Sequence, residues 1–420
     1  MAGGRTGASA ESAAAAPVVV ISYDGVINPV ASEFIVDALA DARARGAQAL
    51  VIRLDTPGGL DRTMRDIVKA LLAAEIPVIV YVAPTGARAA SAGLFITLAA
   101  HVAAMAPGTN IGAAHPVALG GGEMDAEMKQ KAENDAAAYI RSLAEKRGRN
   151  VDWAERAVRA SISATEREAL ELKLIDRIAP DLPALLAGLD GRTVETVSGP
   201  VTLHTSGAPI RSIEMGPRLR ILRALSDPNV AYVLMLLGIY GLIFELSNPG
   251  AILPGVVGGI CLILAFYAFQ TLPINYAGLL LILLAFILFI AEIKVMSYGL
   301  LTVGGIVALV LGSILLVKTD LPFLRLSWWV ILPMALATAG FFLLVVGMTW
   351  RTLRRPPVSG IVTMIGVIGE ARTPIAVGGR GQVFVRGELW QARSSEPIAR
   401  GDAVAVEALE GLTLVVRKPG

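Results

Sequence analysis

A chain of three parts is predicted: an α/β domain on a mostly parallel sheet, a helical transmembrane region of four or five spans, and a small all-β barrel. Three observations carry this. Strand-like and helix-like patterns alternate through residues 17–225. Residues 228–349 hold only six Asp, Glu, Lys or Arg side chains, namely Glu245, Glu292, Lys294, Lys318, Asp320 and Arg325. From residue 356 the chain reverts to short strands broken by turns. The composition agrees. The 420 residues are 54% hydrophobic and 17% charged, with a mean hydropathy of +0.62. That is too apolar for a wholly water-soluble protein and points to a chain partly embedded in a membrane.

Residues 1–16 are small and polar, without an apolar signal core, and are expected to form a disordered leader. If the domain that follows is exported, this start has lost its signal peptide. The α/β domain is expected over 17–225. "VVVISYDGVI" is a β-branched strand, and "PVASEFIVDALADARARGAQ" has apolar residues at helical spacing. "ALVIRLDTPGG" is a buried strand stopped by Pro57, Gly58 and Gly59. "LDRTMRDIVKALLAAE" is helical, and "IPVIVYVAP" is a third strand. Strand–helix–strand units at this spacing imply right-handed crossovers and parallel strands.

The transmembrane region is expected over 228–350. Its apolar stretches run 230–246, 252–270, 277–292, 299–317 and 327–349. A span needs about 20 residues, so the two shorter stretches leave four or five spans open. Glu245 and Glu292 fall near span ends, where capping is favoured over an ion pathway. Cys261, the single cysteine, lies in an apolar run and can form neither an intramolecular disulfide nor a cysteine metal site. Orientation is contradictory. Arg351, Arg354 and Arg355 favour a cytoplasmic C-terminus, whereas Arg211, Arg218, Arg220 and Arg223 favour a cytoplasmic N-terminal domain. The barrel is expected over 356–420, from "GIVTMIGVIGEART", "GQVFVRGELWQARS", "DAVAVEAL" and "LTLVVRK". A net charge of +2, with no basic stripe interleaved by aromatics, argues against nucleic acid as a partner.

The chemistry centres on "GARAASAGLFITLAAH". Ser91 sits among small residues between a strand and an apolar helix, where its hydroxyl is exposed and the helix's first amides are free. "DTPGGL" ends a neighbouring strand, and its glycines offer further amides at the same carboxyl edge of the sheet. Three residues compete as base. His101 lies too far along the helix. His115, in "GTNIGAAHPV", follows a second strand-like turn. Lys131 lies on or beside the apolar face of a helix with small or apolar residues at 132, 136, 139, 140 and 143. A lysine works as a base only when burial favours its neutral form.

"DTPGGL", "ARAASAGLFITLAAHVAAMAPGTNIGAAHPV", "KAENDAAAYIRSLAEKRGRN" and "LKLIDRIA" follow one another in an order that resembles the long form of the NfeD family. These are membrane-bound, ClpP-class serine proteases. "GELWQARSSEPIARGDAVAVEALEGLTLVV" resembles the family's C-terminal OB-fold domain, and the match runs from about Pro17 to the end. The resemblance implies a ClpP/crotonase-like fold and a serine–lysine dyad of Ser91 and Lys131. It implies an oxyanion hole formed by Gly58, Gly59 and the amide of Ala92. It further implies a peptide or protein substrate, a stomatin- or prohibitin-like membrane partner cleaved in an apolar segment, and a homo-oligomer. The protease domain is expected outside the cytoplasm, with the C-terminal domain inside, in the cell membrane. Soluble ClpP relatives with a triad carry their histidine at a spacing close to that of His115, which keeps His115 as the alternative base. No metal, nucleotide or other cofactor is called for, and no Walker motif is present. Two other classes stay open: a non-catalytic scaffold that binds stomatin-like proteins, and crotonase-type chemistry on acyl-CoA, which would not require the dyad.

Overall fold

The computed structural model describes residues 16–117, 125–247, 250, 252–270, 272–295, 297–319, 324–353 and 364–419. All but one residue of the expected leader lies outside these. The N-terminal region alternates β1 (Val18–Asp24), α1 (Pro29–Ala44), β2 (Ala49–Asp55), α2 (Asp61–Leu72) and β3 (Val78–Val82). β4 (Arg88–Ala89), α3 (Ala92–Ala99), β5 (Val102–Met105), β6 (Asn110–Gly112), α4 (Ala126–Lys146) and α5 (Val151–Arg159) follow. The region closes with β7 (Ser163–Thr165), α6 (Glu166–Glu171), β8 (Arg177–Ile178), α7 (Leu182–Leu189), β9 (Thr193–Thr196), β10 (Gly199–Thr202), β11 (Ile210–Ser212) and α8 (Pro217–Leu225). Six strands form one parallel sheet in the order β11-β1-β2-β3-β5-β8, and β4-β6-β7 form a small second sheet. β1, β2 and β3 are buried nearly throughout, because helices cover both faces of a parallel sheet.

His101 and the acid Asp176 show how the sheet's far side is tied together. Asp176 accepts from the amide of Ala103 at 2.8 Å and from Arg149 at 3.2 Å, while buried Arg149 also donates to the carbonyls of Leu98, Ala100 and Leu174. His101 is buried, and its Nδ1 accepts the amide of Val78 at 3.1 Å. This is why it points away from Ser91. Burial, with Arg147 and Lys146 adding repulsion, pushes its pKa down from 6.5 to about 4. The unfolded chain therefore binds a proton between about pH 6.5 and pH 4 that the folded chain does not. Stability is full above that window and falls as the pH drops through it. We expect the melting temperature of the purified chain to decline from pH 7 to pH 4 more steeply than that of His101→Asn, which keeps an acceptor but does not titrate. Parallel declines in the two proteins would refute this.

The apolar region folds as α9 (Pro228–Ser247), α10 (Ile252–Phe269), α11 (Tyr276–Lys294), α12 (Leu300–Leu316) and α13 (Trp328–Leu353). α9, α10 and α11 are long and apolar enough to cross a membrane, while Leu300–Leu316 and Trp328–Leu344 are shorter apolar helices. The count is thus three to five. α9 and α10 approach closely: a methyl on Gly241 would lie 2.4 Å from the Pro254 carbonyl oxygen. Small residues allow such contacts where lipid removes any hydrophobic drive for helix association. Glu292 accepts from Ser297 Oγ at 2.6 Å and from the amides of Gly299 and Thr302 at 3.0 and 3.1 Å. It thereby caps α12, as its position near a span end suggests.

The C-terminal residues form β12 (Ile368–Ala371), β13 (Arg380–Val385), β14 (Glu388–Arg393), β15 (Ala403–Glu410) and β16 (Thr413–Arg417). These close a five-stranded barrel in the order β12-β13-β14-β16-β15, an architecture consistent with an OB-fold. Val383, Val385, Ala392, Val404, Val406, Leu414 and Val416 fill it, as the alternation of buried and exposed residues requires.

Candidate active site

Ser91 does not follow β3 directly, as its sequence suggests. A turn and the two-residue β4 intervene, and Ser91 then caps α3. Its backbone is left-handed, with φ 51° and ψ −113°, a conformation that L-residues rarely adopt and that turns sharply from strand into helix. Hydrogen bonds hold it there. The Ser91 amide donates to Ala113 O at 2.7 Å, the Ala90 amide to Thr56 O at 3.1 Å, and the Thr56 amide to Arg88 O at 2.8 Å.

The glycine turn lies against this serine. Gly58 has φ +117°, and a methyl on it would lie 2.7 Å from Ser91 Cβ and 3.2 Å from Oγ. Its amide is spent: it donates to Thr56 Oγ1 at 3.0 Å, and that hydroxyl donates to the Gly58 carbonyl at 3.1 Å. Gly58 therefore contributes space and backbone shape, and of the three amides expected in an oxyanion hole its own is unavailable. The amides of Gly59 and Ala92 have no hydrogen-bond partner among the described residues. The Gly59 backbone is clamped to Ile27, since Ile27 donates to Gly58 O and Leu60 donates to Ile27 O, both at 2.8 Å. We expect Gly58→Ala to cost on the order of 10²–10³-fold in kcat, the scale of a lost oxyanion donor, because the new methyl must displace either the turn or Ser91. Unchanged kcat with normal folding would remove Gly58 from the site.

An open cleft of about 140 Å³ is lined by Ser91, Ala92, Gly59, His115, Phe95 and Ala136, with Pro57, Asp61, Met64, Ala114, Pro116 and Val117 completing it. Most of this wall is apolar. His115 enters it half-buried, with Nδ1 3.1 Å from Val158 O. A carbonyl only accepts, so in the neutral ring Nδ1 carries the hydrogen and Nε2 the lone pair.

Lys131 is elsewhere. Its side chain is 71% exposed and pairs with Glu127 at 2.8 Å on the same helix. Residues 125–131 are all exposed, and the buried face of α4 begins at Ala136. α4 is tied down just before that point, where Arg65 of α2 pairs with Asp61 at 2.8 Å and with Asp135, and lies 4.4 Å over the Tyr139 ring. The geometry thus brings together Ser91, Gly58, Gly59, Ala92 and His115, and leaves Lys131 on an exposed turn. Thr56 was not singled out from sequence, although a threonine two residues before a glycine is a recognisable local turn signal. Among the described residues no group of three or more His, Cys, Asp or Glu side chains could hold a metal ion.

Comparison with known proteins adds to this. Residues 17–180 match the model of the NfeD1b N-terminal domain, residues 229–348 that of the NfeD integral membrane domain, and residues 362–418 that of the NfeD-like C-terminal, partner-binding domain. The chain is 38% identical over 397 residues to the membrane-bound protease PH1510 of Pyrococcus horikoshii, covering 90% of this chain and 89% of that one. It is 28% identical over 421 residues to the membrane protein NfeD1b of Bacillus subtilis, covering 96% and 92%. A solved structure, the 1510-N membrane protease specific for a stomatin homolog from Pyrococcus horikoshii, is 33% identical. It covers 51% of this chain and all of its own, with a TM-score of 0.45.

Proposed function

The chain belongs to the NfeD family, and from that premise we propose that it is a membrane-anchored serine endopeptidase. The observation that carries the proposal is the placement of Ser91 on a strained strand-to-helix turn, at a cleft lined by Gly59 and Ala92, whose amides have no hydrogen-bond partner among the described residues. Ser91 Oγ attacks the peptide carbonyl, and the developing oxyanion is received by the amides of Gly59 and Ala92. The proton of Ser91 passes to the base and from there to the leaving amine. Water then hydrolyses the acyl-enzyme. The apolar wall of Met64, Phe95 and Ala136 suits an apolar peptide segment. The substrate is a stomatin-like membrane protein, by analogy with the relative specific for a stomatin homolog.

Lys131 is the base in this reading. In the free protein its ammonium is held by Glu127 and cannot accept a proton. An exposed pair of this kind is weak, so substrate can replace it by drawing the first turns of α4 over the cleft, where desolvation favours the neutral amine. A second reading has its own observation: His115 already lines the cleft with Nε2 as acceptor. The α/β domain lies outside the cytoplasm and the barrel, which binds the partner protein, inside. The assembled form is a homo-oligomer, and the membrane is the cell membrane. Incubating the purified chain with a fluorophosphonate probe and an apolar peptide library tests the enzyme itself. Labelling at Ser91 together with cut sites read by mass spectrometry is the expected result. Neither labelling nor cleavage would leave a scaffold.

A further inference from the structure

The helical region carries a second cavity, far larger than the peptidase cleft, at about 550 Å³. It lies where the start of α11, the end of α12 and the start of α13 meet. Asn275, Lys318 and Arg325 supply its polar wall, and Ile314, Leu315 and Ile331 its apolar one. The end of the helix bundle is identified by hydrogen bonds: Asn275 N donates to Leu316 O at 2.8 Å, and Ser327 N to Asn229 Oδ1 at 2.8 Å. The starts of α9, α11 and α13 and the end of α12 therefore lie at one end of the helix bundle. Trp328, which lines the cavity, and Trp329 and Tyr276 beside it are largely exposed there, as aromatic residues at a membrane interface are.

The polar wall offers donors. Asn275 Oδ1 is used by the Ala277 amide at 3.0 Å, which leaves its NH₂ group. Arg325 Nε donates to Thr319 O at 3.1 Å, and among the described residues its two terminal nitrogens have no hydrogen-bond partner. Among the described residues no carboxylate pairs with Lys318 or Arg325. Asp320, between them in the chain, lies outside those residues. A lysine after a helix often serves to cap carbonyls. Here Leu316 O, the last carbonyl of α12, is already engaged by Asn275 N.

We propose that this cavity binds the phosphate-bearing headgroup of an anionic phospholipid. Arg325 presents a fork to two phosphate oxygens, Lys318 adds a point charge, and the amide of Asn275 adds a neutral donor. Ile314, Leu315 and Ile331 receive the first carbons of an acyl chain. A zwitterionic headgroup would bring its own cation against Lys318 and Arg325, and among the described residues no carboxylate lines the cavity to receive it, so the site discriminates by charge.

The test uses the full chain purified in neutral detergent. Melting temperature is measured against added phosphatidylglycerol, phosphatidylcholine and inorganic phosphate, since a ligand that binds only the folded state raises it. Phosphatidylglycerol is expected to raise the melting temperature and phosphatidylcholine not to. The double variant Lys318→Gln/Arg325→Gln should need at least tenfold more phosphatidylglycerol for the same shift, and Lys318→Arg should behave as the parent. Lys318→Gln alone serves if the double variant does not fold. Equal responses to the two lipids, or an undiminished response in the glutamine variants, overturns the site. Protection by inorganic phosphate alone, equal to that by lipid, overturns the lipid as its occupant.

Discussion

Ser91→Ala is expected to abolish peptide cleavage and probe labelling, with a loss on the order of 10⁶-fold in kcat, as for removal of a serine nucleophile that acts as one unit with its base. The fold should persist. Alanine keeps Cβ, the same φ and the amide that donates to Ala113 O, and loses only a hydroxyl at the cleft surface. Circular dichroism and the melting temperature should therefore match the parent within a degree or two. Residual cleavage near the parent rate would mean that another nucleophile acts, and the reading of this site would fail.

The second large effect separates the two bases. Lys131→Ala should cost about 10²–10⁴-fold, the typical worth of general-base assistance. Lys131→Arg should be as poor, because a guanidinium does not give up its proton. His115→Ala should cost roughly tenfold or less if the ring only shapes the cleft, well short of a general base's contribution. The alternative has an equally clear signature. If Lys131→Ala stays active while His115→Ala is dead, the proton passes through the imidazole already aimed at the cleft, and the α4 turn need not move. Since Lys131 is bound to Glu127 in the free protein, Glu127→Gln gives a further check. Under the lysine reading it should preserve or raise activity.

Local sequence carried most of the fold. The buried strands β1, β2 and β3 read as β-branched runs, and the barrel strands as alternation, because both patterns are set by which face each residue presents. The Ser91 turn and the paired glycines were legible for the same reason: small residues between a strand and a helix admit few backbone paths. What was not legible depends on contacts distant in the chain. The His115–Val158 bond spans 43 residues, and no periodicity announces it. The apolar face of α4 marks Ala136, Ile140 and Leu143 as buried, but periodicity does not say how many turns beyond that face remain attached. Lys131 sits on the exposed turns that precede it. The Gly58 amide could have been anticipated, since its partner Thr56 is two residues away. A single threonine hydroxyl removes the Gly58 amide from the free donors.

The left-handed backbone of Ser91 has a consequence for how this protein can change. At φ 51°, ψ −113° a residue with a Cβ incurs a conformational cost of about 1–3 kcal/mol, whereas glycine takes positive φ freely. The most stable residue at position 91 is thus one that cannot attack a peptide. A library randomised at this codon and selected only for heat resistance should converge on glycine and on a dead enzyme, while selection for turnover should return serine. If Ser91 is the nucleophile proposed above, activity and endurance pull this one position in opposite directions, and the serine stays only under continuing demand for its chemistry.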